Sequence, residues 1–169
     1  MKEIILVIGQ SASGKSTFVL KEFLKNNAIL IDKPFKHTIV NTTCLLGDYL
    51  ADKRCVGTDT LSMAILPQLI DFIKNNINNY ERLICEGDRI TNPKFFNFIA
   101  SLKTSVILYF FTCSLKESME RRLNTGSNPS EVFVKTTKTK GLNMKDLGKR
   151  LGFKIIEIQT GEENGQLSF

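Results

Sequence analysis

The clearest chemistry in this 169-residue chain sits in eight consecutive residues, Gly9-Gln10-Ser11-Ala12-Ser13-Gly14-Lys15-Ser16. They fit the pattern G-x-x-x-x-G-K-[ST] in full. Its glycines let the backbone turn so that successive N–H groups point inward at phosphate oxygens. A helix opening at the end of the loop adds its unpaired donors and the positive end of its dipole. In such a loop Lys15 reaches the β- and γ-phosphates of a nucleoside triphosphate, and the Ser16 hydroxyl holds Mg²⁺. Gly9, Ser11, Ala12, Ser13, Gly14, Lys15, Ser16 and Thr17 are therefore the expected nucleotide-binding residues.

A second group of chemical residues follows an apolar run, Arg82–Cys85, and reads Glu86-Gly87-Asp88-Arg89. In open α/β sheets ligands lie at the carboxyl ends of strands. A carboxylate here stands where it can help hold Mg²⁺ or take the proton of an attacking hydroxyl. Glu86 and Asp88 are both candidates for the base, and Glu86 joins Ser16 as a candidate metal ligand. Acceptor-binding candidates are Asp32, at the end of another strand-like run, then Arg54, Thr58, Asp59 and Arg89. Asp32 reads equally as a turn residue before Lys33-Pro34. Thr58 or Asp59 can also serve as the cap of the helical pattern they open, although Lys53 and Arg54 beside them favour the acceptor.

Arg121 and Arg122 lie on a helical pattern after a later strand. A guanidinium there can chelate two oxygens of a transferring phosphate. Adjacent positions face different ways on a helix, so one arginine is expected to serve the nucleotide and the other to point into solvent. The basic, hydroxyl-rich stretch Lys135-Thr136-Thr137-Lys138-Thr139-Lys140-Gly141 reads as a loop, either solvated or tracking a phosphate backbone. His37, the one histidine, reads as a turn or surface residue.

These residues must be carried by elements, and apolar periodicity gives them. Strands are expected at Glu3–Ile8, Ala28–Asp32, Thr38–Asn41, Arg82–Cys85, Val106–Phe111 and Lys154–Gln159. Helices are expected at Lys15–Asn26, at Asp59–Asn75 with Pro67 as a kink or break, from Pro93 (capped by Asn92) to Leu102, at Ser114–Leu123 and at Met144–Leu151. The stretch after Asn41, as far as Thr58, reads as polar and irregular. Strands alternating with helices imply a mostly parallel sheet in a three-layer α/β fold. One domain over 1–160 accounts for the chain, with a lid region at about 114–140 and a short polar tail at 161–169.

Composition narrows the classes. The chain is 42% hydrophobic with no run of membrane-spanning length, and Ile4–Ile8 is too short for a signal-peptide core. Cys44, Cys55, Cys85 and Cys113 show no CxxC spacing and read as free thiols of a reducing cytosol. A net charge of +6 suits phosphate-bearing partners, either a nucleotide alone or a polyanion such as DNA. Asn143-Met144-Lys145-Asp146 has its lysine one place off the element of guanine-nucleotide switches. No Leu-Ser-Gly-Gly segment of transporter ATPases is present, and the chain leaves no room for the helical domain of ring ATPases.

With those residues in view, the chain resembles the P-loop nucleoside and nucleotide kinases. More narrowly it resembles the phage DNA kinases that act on 5-hydroxymethyluracil, over roughly residues 3–125. The likeness rests on the loop, on Lys53-Arg54-Cys55-Val56-Gly57-Thr58-Asp59-Thr60-Leu61-Ser62, on Glu86-Gly87-Asp88-Arg89 and on the Arg121/Arg122 helix. It implies a P-loop NTPase fold of the nucleoside/nucleotide kinase type, with ATP and Mg²⁺ as cofactors and the host cytoplasm as the location. It also implies a hydroxymethyl group on a pyrimidine in DNA as acceptor. Reaching a base in duplex DNA requires flipping it out; Phe35, Tyr49, Phe95 and Phe96 are the aromatic candidates to stack on it, with Phe95 and Phe96 reading more readily as core. A kinase of free nucleosides, nucleotides or small metabolites is a second reading, and a regulatory ATPase with no acceptor a third.

Overall fold

The computed structural model describes residues 1–50 and 56–161. Its centre is β1 (Glu3–Gly9), whose residues alternate between two apolar layers. Ile4, Leu6 and Ile8 enter one core and Ile5 and Val7 the other. A strand buried on both faces needs β-branched and leucine side chains on every position, which is what the sequence supplies.

Around it lies a seven-stranded sheet containing β2 (Ile29–Ile31), β3 (His37–Val40), β4 (Thr43–Leu46), β5 (Arg82–Glu86), β6 (Ser105–Thr112) and β7 (Lys154–Gln159). The order across it is β2-β3-β4-β5-β1-β6-β7. The strands from β4 to β7 in that order pair in parallel, while β3 runs against both its neighbours. The fold is thus α/β with a mostly parallel, mixed sheet. Helix α1 (Lys15–Phe23) packs Phe18 and Val19 on one face, and α2 (Leu66–Asn76), α3 (Pro93–Ser101) and α5 (Glu131–Arg150) pack on the other. The arrangement is compatible with three layers. Helix α4 (Leu115–Asn124) follows β6 and begins with a Ser114–Glu117 capping box. None of the described helices is long and apolar enough to cross a membrane.

Four elements differ from expectation. Thr43–Leu46 is a strand, not an irregular stretch, and pairs with β5. The helix expected from Asp59 starts at Leu66, after a 3-10 turn at Thr58–Thr60, and Pro67 lies in its first turn rather than at a kink. The basic stretch 135–141 is part of α5, which Ser130 caps by accepting from Phe133 N–H. His37 is buried, 2.9 Å from the Phe35 carbonyl through Nδ1 and packed on Phe35 and Phe72. Cys44, Cys85 and Cys113 are buried free thiols, and Cys55 lies outside the described residues, as does all of the expected tail but Gly161.

Candidate functional site

The loop after β1 is turned by backbone the sequence chose for it. Ala12 takes φ 54° and Gly14, which caps α1, takes φ 90°. The Ser13 hydroxyl donates to the Gln10 carbonyl at 2.7 Å and the Lys15 ammonium to the same carbonyl at 2.7 Å, closing the loop on itself. Burial holds the Lys15 pKa below its ordinary value, opposed by the nearby charges of Glu86, Asp59 and Asp88. Lys15 therefore sits in the field of every carboxylate the sequence nominated at the end of β5. Thr17 is exposed on the first turn of α1.

Glu86, the last residue of β5, is 2% exposed. Its Oε1 accepts from the Ser16 hydroxyl at 3.2 Å, which joins the loop to the β5 end. Its Oε2 is buried without a hydrogen-bond partner among the described residues. Burial pushes its pKa from 4.5 up to about 7, and the Asp59 charge adds to the rise, while Lys15 and the Ser16 hydroxyl oppose it. Asp88, two residues on, is exposed and bonded to the Lys140 ammonium at 2.6 Å.

The Gly57–Leu61 segment is tied to that strand end. The Thr58 hydroxyl donates to the Glu86 carbonyl at 2.7 Å, and Asp88 N–H donates to Asp59 Oδ1 at 2.8 Å. Arg89 Nε donates to the Leu61 carbonyl at 3.3 Å. The structure thus brings together Thr58, Asp59, Glu86, Asp88 and Arg89 with Lys15 and Ser16. Thr58 is a buried tether more than a contact surface. Arg54 lies outside the described residues. Asp32 is exposed just beyond the edge strand β2, four strand spacings or about 19 Å from β1.

Helix α4 meets the first half of the loop. Arg121 Nη1 donates to the Ala12 carbonyl at 3.2 Å and to the Thr160 hydroxyl at 3.0 Å; Arg122 Nη1 donates to Ser11 Oγ at 2.9 Å. The expectation that one of the two points into solvent is corrected: both side chains are long enough to straddle the loop from neighbouring positions. Ser118 Oγ donates to the Ser11 carbonyl at 2.8 Å, and Thr137 Oγ1 on α5 accepts from Ser11 N–H at 3.1 Å. The sequence reading missed Ser118, Thr137 and Thr160, because a lone hydroxyl carries no spacing signal. It placed Lys140 in a loop, where its reach to Asp88 is invisible. Of the region 114–140, α4 and the first part of α5 are both packed, the latter through Val134.

Among the described residues no cluster of three or more His, Cys, Asp and Glu forms a metal cage. Mg²⁺ beside a nucleotide takes only one or two protein oxygens and completes its shell with phosphate and water. The Ser16 hydroxyl, the Glu86 carboxylate joined to it and the orphaned Glu86 Oε2 fit that requirement. Phe35, Tyr49, Phe95 and Phe96 are all buried in the core, so none of the four is presented for stacking. No model of a known protein family matches this sequence, and no curated protein matches it.

Proposed function

We propose that this chain is an ATP-dependent phosphotransferase of the P-loop kinase type, transferring the γ-phosphate to a hydroxyl acceptor. The observation that carries the reading is the 3.2 Å bond between Ser16 and Glu86, which sets a phosphate-loop hydroxyl against a strand-end carboxylate with Asp88 beside it. The loop N–H groups and Lys15 hold the phosphates. Mg²⁺, held by Ser16 and Glu86, would neutralise charge on the β- and γ-oxygens.

Exposure divides the two carboxylates. Glu86 is buried against Ser16 and suits the metal, whereas Asp88 opens to solvent and suits the acceptor. Asp88 takes the proton of the acceptor hydroxyl as its oxygen bonds to the γ-phosphorus, and the bond from that phosphorus to the bridging oxygen breaks to release ADP. Arg121 and Arg122 brace the first half of the loop from α4, through Ala12 and Ser11.

The narrower proposal for the acceptor is a hydroxymethyl group on 5-hydroxymethyluracil in DNA, after the resemblance in the loop, Gly57–Ser62 and Glu86–Arg89. Helix α5, 20 residues and about 30 Å long, presents Lys135, Lys138, Lys149 and Arg150 to solvent, which favours a polyanion. The burial of the four aromatic candidates favours the second reading, a free nucleoside or small metabolite, since a flipped base needs a stacking partner. The test is transfer from γ-labelled ATP with Mg²⁺ to three acceptors in parallel: duplex DNA with 5-hydroxymethyluracil, the same duplex with thymine, and the free hydroxymethylated nucleoside. Label on the modified duplex alone supports the DNA acceptor. Label on the nucleoside alone supports the small-molecule acceptor, and label on none leaves a nucleotide-dependent regulatory protein.

A further inference from the structure

Helix α5 is drawn onto the phosphate loop at two points one turn apart. Thr137 Oγ1 accepts from Ser11 N–H at 3.1 Å, and at Gly141 the backbones come so close that a Cβ would stand 3.1 Å from Gly9 Cα. Residues four apart share a helix face. Lys140 stands beside Gly141, at the edge of that face, and its ammonium reaches Asp88 Oδ1 at 2.6 Å. One side chain therefore runs from a helix that touches the loop to the carboxylate at the end of β5.

The arginines of the site are committed elsewhere. Arg121 bonds Ala12, Thr160 and Glu117, and Arg122 bonds Ser11 and lies over the Phe133 ring, so both address the first half of the loop. Arg89 donates to the Leu61 carbonyl. At the end of β5, Lys15 lies in the field of Glu86, Asp59 and Asp88, and Lys140 bonds Asp88. A terminal phosphate bound through Lys15 would lie toward these carboxylates, within the reach of the Lys140 side chain that already meets Asp88. The Lys140–Asp88 pair is 39% and 53% exposed on its two side chains. A pair so open to water is weak, and a triphosphate carrying several charges replaces Asp88 as the partner of the ammonium.

We infer that Lys140 is a ligand of the γ-phosphate, reached from α5, and that its move from Asp88 to the phosphate frees that carboxylate for the acceptor. This rests on the nucleotide-binding reading of the loop. The role is specific to the third phosphate, because the α- and β-phosphates lie deeper in the loop.

The test is calorimetric binding of ADP and of a non-hydrolysable β,γ-imido ATP analogue, both with Mg²⁺, to the unaltered chain, K140M and K140R. A charge-assisted bond lost from the third phosphate alone should weaken the triphosphate by about tenfold or more. ADP should hold within about twofold, and K140R should recover most of the difference. If K140M weakens both nucleotides equally, or neither, Lys140 has no bond to the γ-phosphate while the loop reading stands. If the unaltered chain binds neither nucleotide, the loop reading fails and this inference falls with it.

Discussion

Replacing Glu86 by glutamine should stabilise the fold at alkaline pH while abolishing the proposed phosphoryl transfer. The carboxyl is 2% exposed, and burial pushes its pKa from 4.5 to about 7. A carboxyl whose folded pKa is raised binds its proton more tightly folded than unfolded. It therefore contributes stability that is fully present below pH 4.5 and lost as pH rises through about 7. At 1.36 kcal/mol per pH unit, that gap amounts to about 3 kcal/mol by pH 8. Glutamine keeps the shape and carries no charge at any pH. It should match the unaltered chain near pH 4.5 and exceed it above pH 7.5, by roughly 6–12 °C in Tm for a domain of this size. The assay is thermal unfolding of both proteins from pH 4.5 to 8.5, read as the difference in Tm at each pH. A difference that stays flat across the range refutes the buried-charge reasoning. A variant less stable than the unaltered chain at pH 8 would mean that the attraction between Glu86 and Lys15 outweighs burial.

Lys15→Met should abolish nucleotide binding, with a loss of about 10²-fold or more in the Kd of Mg²⁺-ATP, since it removes the one loop ammonium that meets the phosphates. Asp88→Asn should lower kcat by about 10²-fold or more in the labelled-phosphate assay with nucleotide binding retained; transfer near the unaltered rate would remove Asp88 as the base. Gly57→Ala should cost about 2–4 kcal/mol in a denaturant titration. Gly57 has φ 69°, and its new Cβ would stand 2.3 Å from Glu86 Oε2 and 2.9 Å from the buried Tyr49 hydroxyl.

The parts of the fold that were legible are those where a short run of residues determines its own conformation. The five apolar residues Ile4–Ile8, the glycine spacing of the loop and the Asn92-Pro93 helix start need nothing from the rest of the chain. Strand β4 was not legible because Thr43–Leu46 is four residues long and runs straight into Gly47 and Asp48, which read as a turn. Helix α5 was read too short because lysines, threonines and Gly141 lack an apolar stripe. That glycine is where the helix closes on Gly9, a contact 132 positions away that no local pattern announces. Arg121 and Arg122 were separated by helix geometry alone, which ignores side-chain reach. The candidate carboxylates were legible as a cluster, but their division was not: Glu86 and Asp88 differ in burial, and burial belongs to the packed sheet.

The two halves of the candidate site are built with different stiffness. Around the carboxylates, the buried Thr58 hydroxyl bonds the Glu86 carbonyl, and Asp88 N–H bonds Asp59 in a more exposed contact. They tie the Gly57–Leu61 segment to the end of a strand buried in the sheet, so the proposed base and the proposed acceptor side share one frame. Around the loop the bonds come from side chains of α4 and α5, from Ser118, Arg121, Arg122 and Thr137. The part-buried arginine bonds can exchange partners at lower cost than the buried bond of Thr58 to the Glu86 carbonyl. Substitutions at Arg121 and Arg122 should therefore appear first in the proposed nucleotide affinity. Under the proposed function, those at Thr58 and Asp59 should appear in kcat, because displacing the frame moves Asp88, the proposed base, relative to the phosphorus.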